Sequence, residues 1–317
     1  MIRGDDKPPL VFCYIFRRMT LFVFNPEHDL CLANGNQNYV PPESAMAFAR
    51  KECGIMRVLY GMDANVIAAD GYSEWYGQTG KVPSVIVAWG WDSRLKQVLL
   101  RQGVPQDLLP GDEWLDRLRE MQHRAYCLAL QTHARRANSI EEVRQLLSEY
   151  GRVVLKAPWS GAGRGIRWVD SALTDNDELW IQKTINCQRC VMVERRFDVD
   201  RDFAIEYKVK NGVVEIIGLS LFVTQSGVYR YNILLPDDEI KLAVGLQSET
   251  EDKVTHWIEN NVAPFYDGYL GVDMIRARDG QLYVSELNLR HTMGMLAHRF
   301  LQLHPENKGM KWTPNIL

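Results

Sequence analysis

Two acidic residues near the C-terminal end of the chain are spaced so that they could bind a metal ion together. Asp279 and Gly280 lie between two strand-like runs, and this dipeptide is typical of a two-residue hairpin turn. With that turn, Asp273 lies directly opposite Glu286, with side-chain roots about 5 Å apart. Asn288 follows on the same face, two residues further along the strand. Carboxylate and amide oxygens are the ligands that magnesium or manganese prefers, so the pattern is consistent with a metal site.

The residues that share this face with Asp273 are apolar, so we expect the face to be buried. Two buried carboxylates repel each other and resist ionisation unless a positive charge lies between them. A divalent cation is one solution, and a proton shared by the two acids is another. A surface hairpin whose acids face water would need neither. The predicted apolar neighbours on the face are Ile275, Ala277, Leu282 and Val284.

A glycine-rich loop forms the second candidate site, directly after a predicted strand that ends in Lys156. The loop does not match a P-loop, because the lysine precedes the glycines, and it lacks the third glycine of the dinucleotide fingerprint. Backbone amides of such a loop can close over phosphate oxygens, and Lys156 and Arg164 would add positive charge. A long glycine-rich hairpin without a ligand is the alternative. The loop residues concerned are Ser160, Gly161, Gly163, Arg164 and Gly165.

A third signal is an apolar strand that ends in Glu194, with Asp202 eight residues later. Acids in such positions can accept hydrogen bonds from an adenine amino group or from ribose hydroxyls. They can equally be solvated strand ends. Taken without the other two signals, this one is weak.

The substrate pocket is the least defined part of the prediction. A polar loop at 25–42 follows the first predicted strand, where α/β sheets often bind ligands, and this makes His28 a candidate substrate contact. A metal cluster of Glu27, His28 and Asp29 and an irregular capped loop are the alternatives. Arg230, just past a predicted turn, would hold a substrate anion or lie on a solvent-facing strand. His291 could approach the reacting centre, but we expect it to be a structural histidine.

The elements that must position these residues fall into two kinds. Strand patterns at 21–24 and 85–89, with a helix at 45–53 between them, predict a small parallel α/β layer. A long helix is predicted at 112–133. From about residue 151 the pattern changes to hairpins joined by glycine-containing turns. One helix is predicted with Asp175 as its cap and Ile185 near its end, and another opens at the Ser248-x-x-Glu251 capping box. The second part is therefore predicted to be α+β.

One predicted hairpin carries a check on its own register. If Asn211 and Gly212 are the turn residues, Lys208 faces Glu215 across the two strands. Opposite charges in that position stabilise a strand pair, so the predicted register is favoured.

Composition and charge exclude several classes of protein. The chain has 317 residues, of which 46% are apolar and 24% charged, and its formal net charge is −3. Such a composition rules out wholesale disorder, and the length suggests about two domains. A general nucleic-acid binder would be basic, so we expect no nucleic-acid partner.

The first 18 residues are predicted to be a disordered extension. Their longest apolar run, at 10–16, is far shorter than the roughly 20 residues that cross a membrane. Asp5 and Asp6 also break the basic flank that a secretory signal needs. We therefore expect a cytoplasmic protein without a membrane partner.

The six cysteines are too few and too scattered for a disulfide framework in a chain of this length. Cys187 and Cys190 form the only close pair in the sequence, which would supply half of a zinc site. A thioredoxin-like pair would open a helix, whereas this pair closes one. We expect the cysteines to be structural.

In this order, the three signals resemble the ATP-grasp superfamily over roughly residues 115–299. The resemblance is most specific in the Lys156 strand with its glycine loop, and in Gly271-Val-Asp273 followed by Glu286-Leu-Asn288-Leu-Arg290. It implies an α/β N-terminal domain followed by α+β ATP-grasp domains, with antiparallel sheets, helices and a nucleotide cleft between two subdomains. The implied spans are an extension at 1–18, the N-terminal domain at 19–118, the lid subdomain at 119–193 and the metal-binding C-terminal subdomain at 194–317.

The resemblance also implies roles for matching residues, with ATP and Mg²⁺ (or Mn²⁺) as cofactors. Lys156 would contact the α- and β-phosphates, and the loop at 160–165 would close over them. Glu194 would lie at the adenine-side hinge and Asp202 at the ribose. Arg124 is the nearest candidate for a nucleotide-contacting lysine that the family usually carries before the glycine loop.

At the other end of the nucleotide, the resemblance implies that Asp273, Glu286 and Asn288 hold one or two metal ions between the β- and γ-phosphates. Arg290 would lie near the transferred phosphoryl group or the substrate carboxylate, and we assign it a catalytic role together with Lys156. No protein base is required by this chemistry, so none is nominated.

The implied activity is an ATP-dependent ligase that joins a carboxylate to an amine through an acyl phosphate. The substrates would be small-molecule or peptide acids and amines. A small-molecule kinase and a non-catalytic ATP-binding module are the alternatives. The sequence leaves the oligomeric state open, a homodimer included.

Overall fold

The computed structural model describes residues 19–161 and 165–313. The predicted extension at 1–18 and two residues of the glycine loop, Gly163 and Arg164, lie outside the described residues. Within them, the chain forms three separate sheets with helices packed against each.

The first sheet is parallel, as predicted. Its three strands are β1 (Thr20–Phe24), β2 (Asn65–Ala68) and β3 (Val85–Ala88), and β1 lies in the middle. All five residues of β1 are buried, which is typical of a parallel strand covered on both faces. The helices of this part are α1 (His28–Asn34), α2 (Glu43–Glu52), α3 (Arg57–Tyr60), α4 (Tyr72–Thr79) and α5 (Ser93–Arg101).

The prediction of one helix at 112–133 is wrong for the second half of that range. Helix α6 covers only Asp112–Met121, a short 3₁₀ segment follows at Arg124–Leu130, and Ala134–Ala137 forms strand β4. The helix ends because the His123 ring accepts the N–H of Ala125 at 3.0 Å, which starts the 3₁₀ turn. As a result, Arg124 is buried, whereas a continued helix would have oriented it differently.

The second sheet is antiparallel and has the strand order β4-β7-β5-β6. Its further strands are β5 (Val153–Lys156), β6 (Ile166–Val169) and β7 (Val191–Arg195), and it packs with helices α7 (Ile140–Tyr150) and α8 (Asp175–Gln188). Thr174, not Asp175, is the N-cap of α8, in a capping box with Asp177. Asp175 begins the helix one residue later.

The third sheet is also antiparallel, with six strands in the order β12-β11-β8-β9-β10-β13. The antiparallel character predicted for the second part of the chain is thus confirmed. The strands are β8 (Val199–Lys210), β9 (Val213–Gln225), β10 (Val228–Ile233), β11 (Gly268–Ala277), β12 (Leu282–Asn288) and β13 (Lys311–Trp312). The helices are α9 (Asp237–Val244), α10 (Ser248–Asn261) and α11 (Met293–Leu303). Helix α10 begins at Ser248, but its N-cap is Gln247.

The β8–β9 hairpin has the predicted register. Lys208 pairs with Glu215, and the turn residues Asn211 and Gly212 both have positive φ angles, of 52° and 77°. Two positive φ angles in succession are what a type I′ turn requires, and asparagine and glycine adopt them at least cost. The turn chemistry therefore sets the register, as the sequence indicates.

The β11–β12 hairpin differs from the prediction in its turn and in a bulge, and the two shifts in register cancel at Asp273. The turn has three residues, because the N–H of Ala277 donates to the carbonyl of Gln281, and Ser285 forms a bulge further along. Asp273 therefore still pairs with Glu286. The bulge reverses the faces of the preceding residues, so Val284 packs in the core with Met274 instead of beside Asp273.

One apolar core joins the first sheet to the C-terminal part of the chain. It contains Phe24 from β1 and Met56 from the turn before α3, together with Leu296 of α11 and Trp312 of β13. All four side chains are almost fully buried. The division into domains at 118 and 193 stays a prediction. Nowhere in the described chain is a helix long and apolar enough to cross a membrane.

Close packing of α11 generates a stability prediction. A Cβ atom at Gly294 would lie well inside van der Waals contact of the Glu206 and Ser220 side chains, so Gly294→Ala is expected to destabilise the protein by ~1–3 kcal/mol. Gly77, in the exposed part of α4, has open space around its Cα, and Gly77→Ala is expected to stabilise by ~0.5–1 kcal/mol. Denaturant unfolding of both variants measures the difference. Equal changes in the free energy of unfolding of the two variants would contradict the close packing at Gly294.

Candidate active site

Asp273 and Glu286 face each other on adjacent strands, and Asn288 pairs with Gly271 two positions further along. The pKa of Asp273 is raised to about 8, first because the carboxyl group is buried and then because Glu286 and Glu206 carry like charge. A hydrogen bond from Asn288 and the charge of Arg290 oppose this rise only in part. The local charge balance therefore favours a cation beside Asp273.

The donor set fits magnesium held jointly with a phosphate-containing ligand. Among residues 19–161 and 165–313, no group of three or more His, Cys, Asp or Glu side chains is placed to hold a metal by itself. Asp273, Glu286 and Asn288 offer two carboxylates and one amide, all oxygen donors. Magnesium commonly uses one or two carboxylates and completes its shell with water and substrate phosphates.

Lys156 ends β5 in the middle of the second sheet and is buried. Its ammonium group lies 2.7 Å from a carboxylate oxygen of Glu194 and donates to the Ser285 hydroxyl at 3.1 Å. Ser285 is the bulge residue of β12, so the lysine connects the second sheet to the third. Lys156 and Glu194, which belong to two separate sequence signals, are thus brought together with each other and with the acid-bearing hairpin.

Arg124 is buried beneath the glycine loop. Its guanidinium donates to the carbonyl of Ala157, to the Ser160 hydroxyl at 2.8 Å and to Glu286 at 2.8 Å. The backbone N–H of Arg124 donates to the Pro158 carbonyl at 3.1 Å. Arg124 therefore joins the start of the loop to one of the two opposing acids.

The glycines at the described ends of the loop allow close approach. A Cβ atom on Gly161 would collide with the side chain of Asp29, and one on Gly165 would collide with Ser160. The loop thus runs against the N-terminal part of the chain at one end and folds back on itself at the other.

A cavity of about 460 Å³ lies between the second and third sheets. Lys156, Glu194 and Asp202 line its polar side, and Asp202 accepts a hydrogen bond from Thr224 at 2.9 Å. Burial raises the pKa of Asp202. Apolar walls come from Val154, Ile166, Phe222, Met274 and Ile275. This combination of an apolar slot with polar groups at its edge suits a flat, heteroaromatic ring carrying polar substituents.

An aromatic cluster at the edge of this cavity was not predicted. Phe197 stacks on Tyr283 with ring centroids 4.0 Å apart, and His133 contacts both rings. Burial lowers the pKa of His133, so the ring is neutral near neutral pH. The three residues come from distant parts of the chain, and the sequence carries no signal that joins them.

A second cavity, of about 310 Å³, adjoins the first and shares Asp273 and Glu286 with it. Arg290 lines this cavity and makes a bidentate ion pair with Asp29, with both N–O distances 3.0 Å. Asp29 belongs to α1, so the N-terminal part of the chain fixes the guanidinium. The opposing acids therefore lie at the junction of an apolar slot and a polar chamber.

Two predicted substrate contacts are placed elsewhere. The His28 ring is fully buried, and its nitrogens lie 3.1 Å from Asp92 and 3.2 Å from Gln122, so it is a packing residue of the N-terminal part. Arg230 is exposed at an irregularity in β10, and its neighbour Tyr229 lines the second cavity instead. Both predictions differ from the structure because the sequence pattern alone does not show the direction in which a side chain points.

The close cysteine pair has no shared environment. Cys187 is exposed at the end of α8, whereas Cys190 is buried with its sulfur 3.7 Å from the His123 ring. The described cysteines are free thiols. The pair closes a helix and precedes a strand, as expected.

His291 generates a prediction for acid stability. Its ring is buried against Trp89 and Tyr60, with nitrogens 3.1 Å from the Trp89 carbonyl and 2.6 Å from the Tyr60 hydroxyl, and burial lowers its pKa to about 4. Between pH 6.5 and 4 the unfolded chain binds the extra proton, so stability falls as pH falls through this window. From pH 8 to pH 5 the wild type is expected to lose ~2 kcal/mol more than His291→Gln.

Denaturant titrations at the two pH values measure this difference. His256, an exposed residue of α10, supplies the control variant His256→Gln, which is expected to follow the wild type. A parallel pH dependence of wild type and His291→Gln would refute the assignment of His291 as a buried neutral residue.

Comparison with known proteins finds similarity in structure only. No protein-family model and no curated protein sequence matches the chain. Biotin carboxylase of Campylobacter jejuni, in a complex with β,γ-ATP, has a TM-score of 0.56 at 13% identity, over 95% of this chain and 73% of that one. D-alanyl-alanine synthetase A of Vibrio cholerae has a TM-score of 0.52 at 13% identity, over 92% and 95%.

N5-carboxyaminoimidazole synthetase of Staphylococcus aureus, complexed with ADP, has a TM-score of 0.51 at 14% identity, over 93% of this chain and 78% of that one. Structural similarity at such low sequence identity establishes the shared fold only. The reaction has to be argued from the residues of the site.

Proposed function

We propose that this chain, which has the ATP-grasp fold of the structures above, joins a carboxylate to an amine with ATP as the energy source. The observation that carries the proposal is the position of Asp273 and Glu286. They lie where a cavity lined by Lys156 meets a second cavity lined by Arg290. A triphosphate in the first cavity would place its terminal phosphoryl group at this junction.

The first cavity is proposed to hold ATP. Its apolar walls suit the adenine ring, and Asp202 lies where a ribose hydroxyl could donate to it. Lys156 would move its charge from Glu194 toward the α- and β-phosphates, since a lysine stem is flexible. The loop beginning at Ser160, with Gly161, Gly165 and the proposed Gly163 and Arg164, would cover the phosphates. Structural neighbours in complexes with ADP and with an ATP compound support this assignment.

Asp273, Glu286 and Asn288 would hold Mg²⁺ or Mn²⁺, with nucleotide phosphates completing the shell. When bound, the metal neutralises phosphate charge and polarises the phosphorus toward attack. Glu286 also pairs with Arg124, so this guanidinium would lie near the nucleotide phosphates.

The second cavity is proposed to hold the two organic substrates. A carboxylate oxygen attacks the γ-phosphorus, ADP leaves, and the product is an acyl phosphate. The uncharged amine nitrogen then attacks the acyl carbon, phosphate leaves, and an amide forms as the nitrogen gives up one proton to the departing phosphate or to solvent. Arg290, held in place by Asp29, would orient the carboxylate or the transferred group. Closure of the glycine loop would keep water from the acyl phosphate.

Loss of one metal-binding acid tests the proposal directly. Glu286→Gln keeps the shape of the side chain but removes its charge, so ADP formation is expected to fall by ~100-fold or more. The assay is ADP release with Mg²⁺ and ATP over a panel of amino acids, short peptides and simple carboxylic acids, each with and without an amine. Glu215→Gln, on β9 and paired with Lys208 far from the site, is the matched control.

The same assay separates the alternatives. ADP release that requires both acid and amine supports the ligase, and a stable phosphorylated product without an amine would identify a kinase. MgATP binding without ADP release across the panel would leave a nucleotide-binding module. Undiminished turnover in Glu286→Gln would overturn the assigned role of the acid pair.

Removal of the strand-end lysine is expected to weaken nucleotide binding. Lys156→Met should reduce the affinity for ADP by ~10–100-fold, the loss expected for a charge-assisted hydrogen bond to phosphate. Calorimetric titration with ADP and Mg²⁺ measures it. Because the single variant leaves Glu194 buried and unpaired, the double variant Lys156→Met/Glu194→Gln is measured as well.

Lys183→Met, on the exposed side of α8, serves as the control for loss of a lysine. Both Lys156 variants are expected to bind weakly and the control normally. An unchanged ADP affinity in the double variant would place the nucleotide outside the first cavity.

A further inference from the structure

The side-chain donors of Arg124 are already bound to oxygens of the protein. A guanidinium has five N–H groups. One terminal nitrogen donates to the Ala157 carbonyl at 2.5 Å and to the Ser160 hydroxyl at 2.8 Å. The other donates to the Ser160 carbonyl at 3.3 Å and to a carboxylate oxygen of Glu286 at 2.8 Å. Four of the five donors are therefore taken.

The fifth N–H group of Arg124 is out of reach of a ligand. It lies on Nε, which is buried and has no hydrogen-bond partner among the described residues. The side chain as a whole is only 6% exposed. A phosphate oxygen can therefore bind this guanidinium only by displacing one of the four protein oxygens. This differs from the role that the sequence resemblance implies for a cation at this position, which is to contact the nucleotide.

Arg124 holds the segment 157–161, which we call the loop base, and other contacts fix the same segment. The backbone N–H of Trp159 donates to the Gln188 side chain at 2.9 Å, and its indole N–H donates to the Arg119 carbonyl at 2.9 Å. The Arg119 guanidinium lies 4.0 Å from the centre of the Trp159 ring. The loop base is thus a built part of the structure, and Arg124 is the residue that connects it to the opposing acids.

Arg124 also orients Glu286 and leaves one of its oxygens for a metal ion. The guanidinium binds Oε1 of Glu286, and within the described part of the chain Oε2 accepts no hydrogen bond. The Glu286 side chain is 28% exposed and borders both cavities. A metal ion can therefore bind Oε2 while Arg124 keeps its bond to Oε1, so the two roles of this carboxylate are compatible.

We propose that Arg124 is a positioning residue, which ties the loop base to Glu286 in the free protein and does not itself bind the nucleotide. The identity of the nucleotide rests on the proposed function, whereas the tie is a property of the free chain. A planar guanidinium spans four acceptors, and a lysine ammonium, with three donors on a single atom, does not. The tie orders the loop base and Glu286 before a ligand arrives, so less ordering is left to the binding step.

There are two competing explanations, that Arg124 is a phosphate ligand and that it only stabilises the fold. Two variants separate them from the tie. Arg124→Lys keeps the positive charge but loses the planar fork, whereas Arg124→Met loses both. Arg117→Lys, at a partly exposed residue of α6 that pairs with Glu120, is the matched control for an arginine-to-lysine change.

The first measurement is amide hydrogen exchange of the full chain without ligands, read by mass spectrometry of peptides that cover the loop base. We expect exchange at 157–161 to rise ~10-fold or more in both Arg124 variants and not in Arg117→Lys, because the lost bonds hold this segment. Exchange in β1, in the first sheet, is expected to stay unchanged. Unchanged exchange of the loop base in Arg124→Lys would overturn the proposal, and so would an equal rise in β1, which would show general destabilisation.

The second measurement is calorimetric titration with ADP and Mg²⁺. We expect the affinities of Arg124→Lys and Arg124→Met for ADP to lie within ~3-fold of each other, since both lack the fork. An affinity kept in Arg124→Lys but reduced ~10–100-fold in Arg124→Met would identify a phosphate ligand and overturn the proposal.

The two proposals fail in different ways. If the wild type does not bind ADP, the proposed function is rejected, and the exchange measurement still decides whether Arg124 ties the loop base. If Arg124→Met does not fold, the exchange of the loop base in Arg124→Lys decides the same question.

Discussion

The architecture of the site depends on the repulsion between two carboxylates that the β11–β12 hairpin forces together. Asp273 and Glu286 are paired by strand register, and burial of the Asp273 carboxyl group weakens the screening of their charges by water. Such a pair is unfavourable unless cations surround it. The groups that converge on this point are the cations that relieve it: Arg124 from the 3₁₀ segment and Arg290 from the end of β12, with a divalent ion as the expected third. The site is therefore organised by the cations that compensate the two carboxylate charges.

Charge compensation also connects parts of the molecule that are distant in sequence. Arg124 binds Glu286 and the start of the glycine loop at the same time, and Asp29 of the N-terminal part holds Arg290. Lys156 reaches from the second sheet to Ser285 on the third. These polar bridges position the loop and both arginines relative to the opposing acids, so the geometry of the reacting centre is set by three sheets together.

Much of the fold could be predicted from the sequence because local signals and global structure agree. Asn211-Gly212 fixes a hairpin, and the parallel strands of the first sheet show as buried apolar runs. The helix at 112–133 was predicted too long, because an apolar repeat continues through the 3₁₀ segment and the side-chain cap by His123 is a weak signal. Asp273 still faces Glu286 only because a longer turn and a bulge at Ser285 offset each other.

The apolar core shared by β1, α11 and β13 has a mechanical consequence. It packs the first and third sheets on one another, whereas the second sheet has its own core, which includes Val143, Leu155 and Ile181. Polar bridges such as Lys156 to Ser285 cross the boundary beside the first cavity. A single hydrogen bond of this kind contributes only ~1 kcal/mol to stability, much less than an interdigitated aliphatic core. We therefore expect the second sheet to move as a unit more easily than the first and third sheets separate, and such a movement would open the cavity between the second and third sheets.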